Sequence, residues 1–142
     1  IGTNHFAKNY SNPIGEDVVP PQVKPEIIEA VNKSDYDTEI SAIKSEGATV
    51  LGTSFFNVHS YSVCKSHLKS LAKKQGADFV VATRAWTKET RNVEPQQVYR
   101  TIHHSDGSTS GYWTTEMRLI IRTYYDYDAT LLRAKPLELI VP

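Results

Sequence analysis

The clearest alternation of apolar and polar positions lies near the end of the chain. In "YWTTEMRLIIRTYY", residues 112–125, Trp113, Met117, Leu119 and Ile121 fall on odd positions, opposite Glu116, Arg118 and Arg122. A period of two over that length predicts a long antiparallel strand with one solvated face. "QQVYRTIHH" at 96–104 predicts a further strand, and the polar "SDGSTSG" at 105–111 a turn between the two. "DYD" at 126–128 then predicts a bend into a last strand, "ATLLRA", closed by Pro136.

Upstream the period changes. Between 60 and 75, Cys64, Leu68, Leu71 and Ala72 form one apolar stripe while Lys65, Lys69, Lys73 and Lys74 fall elsewhere. That spacing predicts an amphipathic helix stopped by Gly76. On either side stand two glycine-led apolar segments, "GATVLGTSFF" at 47–56 and "GADFVVATRAW" at 76–86. Strand, helix and strand make a βαβ unit with parallel strands. A second helix is expected over 35–47, capped by Asp35 or Asp37, with Ile40 and Ile43 on one face and Gly47 past its end. Residues 1–34 read as an extended arm, either ordered against the body or loose, with Pro20 and Pro21 excluding a regular helix or central strand, and with a short helix over 25–32 that has Pro25 at its first position. The expected architecture is therefore α+β. Residues 35–142 form one domain, with a βαβ unit, a long antiparallel hairpin and a final strand in a single mixed sheet, helices mainly on one face.

Composition narrows the functional classes. Lys+Arg and Asp+Glu both number 16 in 142 residues, so no net field favours nucleic acid, and no nucleic-acid partner is expected. No run is long enough for a membrane span. The single cysteine, Cys64, excludes an internal disulfide and a multi-thiolate metal site. Because the chain starts at Ile1 without methionine, the expectation is a processed or trimmed product, any export signal or lipid anchor lying outside it.

The candidate chemistry is sparse. No glycine-rich turn follows "VLGTSFF", so the dinucleotide fingerprint is absent. Ser54 lacks the second glycine of a nucleophile elbow, and Gly52 reads as a small residue beneath a closely packed neighbour. Cys64 with His59 or His67 suggests a thiolate–imidazole pair, but Cys64 lies on the apolar stripe and reads as core. His103 and His104 are adjacent, so on a strand they face opposite ways and cannot chelate together. His104 with Asp106, completed by His5 or His59, lacks the spacing of a zinc site. Asp126 and Asp128 read as turn residues rather than an acid–base or calcium pair. Neither catalytic residues nor a metal or other cofactor are expected. The aromatics point elsewhere: of eight tyrosines, four lie at Tyr112, Tyr124, Tyr125 and Tyr127, close to Trp113. Exposed tyrosine and tryptophan on a sheet are typical interface anchors. The candidate contact residues are His103, His104, Tyr112, Trp113, Tyr124 and Tyr127.

The order of pieces, with "VLGTSFF", "AKKQGADFVV" and "YYDYDATLLRAK", resembles a group of uncharacterised bacterial envelope proteins, many of them lipoproteins. These carry a G-x-S-x-F strand, a GAD helix–strand junction and a closing YD-x-x-A strand. The junction also resembles the small α/β domains of the YbjQ type and of the Rcs stress-sensing lipoprotein. The similarity spans roughly residues 38–135 and implies a fold and a place in the cell envelope or outside the cell, without catalytic residues. One departure is clear: the stress sensor is disulfide-bonded, which a single cysteine forbids. The expected function is a non-enzymatic envelope or secreted domain acting through protein–protein contact, with a protein partner or with itself. The alternatives are a small metal-dependent or cysteine-based hydrolase and a small-ligand carrier.

Overall fold

The computed structural model describes residues 2–11, 24–61 and 65–136. In chain order the elements are α1 (His5–Lys8), β1 (Tyr10–Ser11), β2 (Glu26–Glu29), α2 (Lys33–Ser45), β3 (Thr49–His59), α3 (Lys65–Gln75), β4 (Phe79–His103) and β5 (Thr109–Arg133). The strands form one mixed sheet in the order β1-β3-β5-β4-β2. The fold is α+β, as the sequence predicts. β3 runs antiparallel to β5, and β2 parallel to β4. Strand β5 enters between β3 and β4, so the βαβ unit is split and its two strands are not neighbours.

The chain divides into two compact units, Ile1–Thr87 with Tyr124–Pro142, and Lys88–Thr123. In the first, neighbouring residues on a strand serve opposite faces. Val80, Ala82, Ala129 and Leu131 join Phe6 of α1 and Leu68, Leu71 and Ala72 of α3 in one cluster. Val81 and Leu132 join Tyr36 and Ile43 of α2 in another. Two helices thus cover one face and α2 the other, which explains the unbroken apolar run at the start of β4.

The GAD junction is a helix stop. Gly76 takes φ +73°, the Ala77 amide donates to the Ala72 carbonyl and the Gly76 amide to that of Lys73. That is the Schellman pattern, which a glycine adopts without steric cost. Asp78 is fully buried, and its carboxylate accepts from the Ala134 amide at 2.8 Å, tying the start of β4 to the chain after β5. Gly52 also behaves as the sequence suggests: a Cβ there would meet Tyr10 Oη at 2.3 Å and the Ser11 carbonyl at 2.4 Å. The small residue admits β1.

Four local expectations are corrected. Residues 26–29 form a strand rather than a helix, because Ile27 and Ile28 must reach opposite clusters, which alternation provides. Residues 5–11 are not extended throughout: His5–Lys8 turn into α1, Phe6 is fully buried, and β1 pairs with β3. Helix α2 starts earlier than its expected caps. Asn32 accepts from the Asp35 amide at 2.8 Å, since Tyr36 opens the apolar face at 36, 40 and 43. "DYD" does not bend, and β4 and β5 each run unbroken for 25 residues. Cys64 lies outside the described residues, and no helix among those described is long and apolar enough to cross a membrane.

Candidate contact surface

In the unit Lys88–Thr123 the outer parts of β4 and β5 form a two-stranded ribbon. Its turn is tighter than expected. The His104 amide donates to the Ser108 carbonyl, Gly107 sits at φ +87°, and Asp106 accepts from both the amide and the hydroxyl of Ser108. These bonds hold the Asp106 carboxyl below the usual carboxylate range. Residues 109–111 already belong to β5. Gly111 lies under Tyr99, whose hydroxyl would be 2.0 Å from an added Cβ.

Side-chain contacts identify the two faces of this ribbon. Tyr99 meets Trp113 edge to face at 5.3 Å, and Gln97 donates to Thr115 at 2.7 Å, so odd positions of both strands share one face. On the opposite face the Arg122 guanidinium grips both oxygens of Glu94, and Glu116 accepts from Arg100 and Arg118. Hydrogen bonds from these arginines hold the Glu94 and Glu116 carboxyls below their ordinary range. One face carries these ion pairs, with Ile102 and Tyr112 exposed beside them. The other presents Val93, Tyr99, Trp113, Met117, Leu119 and Ile121, all exposed, with Trp113 at 67% and Met117 at 64%.

This reverses one expectation from the sequence. Alternation in 112–125 was expected to pack the apolar side and solvate the polar one, yet over 113–121 the apolar side is open. A hydrophobic period reports which residues share a face and says nothing of whether an element exists to cover it. The reading also missed Val93 and Tyr99, although both stand at odd positions of β4, as Met117 and Leu119 do on β5.

The predicted contact residues separate. Trp113 and His103 lie on the apolar side by parity, whereas Tyr112 shares the face of Arg100 and Glu116. His104 is bonded to Ser110 through Nε2 at 2.8 Å. Tyr124 belongs to the other unit, where its ring meets His59 at 5.2 Å. Tyr127 leaves the set. It is 1% exposed, stacks on Phe56 at 5.0 Å and donates to the Tyr61 carbonyl at 2.9 Å.

The residues of the enzymatic alternatives are engaged singly. Ser54 donates to the Phe6 carbonyl at 2.8 Å and fastens α1, while His67 Nδ1 lies 2.8 Å from the Tyr61 hydroxyl. The His5 ring packs between Phe56 and Tyr61. Asp126 and Asp128 share a side of β5. Asp126 accepts from Asn57, and Asp128 faces Lys33 at 3.9 Å. Burial pushes the Asp128 carboxyl up, with Asp126 and Asp37 adding to the rise and Lys33 opposing it. Among the described residues, no three His, Cys, Asp or Glu side chains converge where an ion would sit. A groove of about 520 Å³, lined by Phe6, Glu29, Ala30, Val31, Thr83 and Arg84, opens beside the end of β2.

Comparison with family models, with curated proteins and with solved structures returns no match for this chain.

Proposed function

We propose that this chain is a non-enzymatic protein-contact domain, with the apolar face of the ribbon as its contact element. The observation that carries this is the row Val93, Tyr99, Trp113, Met117, Leu119 and Ile121, exposed on two strands that have no helix or further strand against them within their unit. Two-stranded ribbons are marginal in water without a covering layer, and contiguous apolar patches of this kind mark interaction sites. The envelope or secreted location belongs to the same proposal and rests on the resemblance over residues 38–135.

A small-ligand carrier is the second reading, favoured by the groove beside β2, whose 520 Å³ falls in the range of small-molecule sites. A photo-reactive side chain placed at Leu119, and separately at Arg118, tests the first reading in cells. The contact domain gives a protein adduct of defined mass from position 119 and none from 118. Absence of an adduct from both positions would overturn it.

A further inference from the structure

We propose that the occupant of the ribbon's apolar face is the same face of a second copy of this chain. The inference rests on the contact reading above and names its partner. This face is free of formal charge along its length. From Val93 to His103 and from Thr109 to Ile121, the odd positions carry no Asp, Glu, Lys or Arg. A two-fold interface brings residues near its axis against their own copies, so any formal charge there would meet its like. Here none would.

The opposite face adds to this. Glu116 sits between Arg100 and Arg118, and Glu94 is held by Arg122. Three guanidinium groups against two carboxylates leave a single net positive charge, a weak field for steering a charged partner. Size agrees as well. The charge-free stretches run 11 residues on β4 and 13 on β5, so at ~3.3 Å per residue the face is roughly 40 Å long. With a width of about 12 Å, each copy offers on the order of 480 Å², and a pair buries about 1,000 Å², the size of a weak, transient interface. Face-to-face packing also supplies the second layer that a lone ribbon lacks.

The test is sedimentation velocity on the full chain across a concentration series. The expected result is a monomer–dimer equilibrium with Kd on the order of 1–100 µM. Met117 lies midway along the row from Trp113 to Ile121, so Met117→Glu and Met117→Lys should each weaken the dimer at least about tenfold. An equimolar mixture of the two variants should restore it, which shows that both are folded and meet across the interface. Arg118→Gln, on the opposite face, should leave the dimer intact.

A wild-type chain that stays monomeric throughout would overturn the proposal, as would a dimer indifferent to both Met117 variants or a mixture that fails to rescue. Monomers that float with phosphatidylcholine vesicles would overturn it in favour of a lipid surface. A monomer that still gives an adduct to a different protein from position 119 would end self-pairing while leaving the contact reading standing.

Discussion

Gly52 and Asp128 show how single residues carry the first unit. A Cβ at Gly52 would fall 2.3 Å from Tyr10 Oη and 2.4 Å from the Ser11 carbonyl, and the second contact is backbone that cannot swing aside. Gly52→Ala should therefore displace β1 and cost about 1–3 kcal/mol, the usual range for overpacking. A lowered urea midpoint and new proteolytic cleavage before residue 12 would register it. Asp128 works in the other direction. Its folded-state pKa is raised, chiefly by burial, so the folded chain binds its proton more tightly than the unfolded chain does. Stability from this group is present below the ordinary carboxylate pKa and is lost as pH climbs through the raised value. Asp128→Asn should thus stabilise the protein relative to wild type at pH 7 and give little gain at pH 3. Equal gains at both would contradict the assignment. The glycines were legible in the sequence because stops and close approaches demand that residue type. Tyr36 and Tyr127 were not, since an aromatic ring reads the same whether a neighbouring element covers it or leaves it open.

At the scale of elements, β4 and β5 each pass from a covered half to an open half. Val80, Val81, Leu131 and Leu132 are fully buried, while Val93 and Leu119 on the same strands are exposed. Local stability should follow that gradient, because opening free energy tracks buried contacts. In dilute monomer, amides at 79–83 and 127–132 should exchange only through global unfolding. Those at 96–103 and 109–117 should exchange orders of magnitude faster. Uniform protection along both strands would contradict this division. The strands themselves were readable from their period, but their full length was not. "DYD" looks like a turn because aspartate favours turns, yet pairing of Asn57 with Asp126 and Phe55 with Asp128 keeps it extended. The short β2 was misread for a related reason: two adjacent isoleucines fit a helix or a strand until the sheet supplies two faces to fill.

For the whole molecule, the balance of 16 acidic and 16 basic residues gives no net charge to drive association. Architecture followed from the order of periodic segments, whereas activity did not, because among the described residues no three His, Cys, Asp or Glu side chains converge. What remains uncovered among the described residues is the ribbon's apolar face. Met117, the only methionine of the chain, stands on that face and is a built-in reporter. Its conversion to the sulfoxide tracks solvent access. The most direct measurement is the rate of Met117 oxidation by dilute peroxide, by mass spectrometry, in dilute purified chain and in intact cells at matched peroxide exposure. The account predicts a rate near that of a free thioether in the dilute chain and protection of at least about tenfold in cells. Equal rates in the two settings would contradict it, because a contact face that nothing covers is not one.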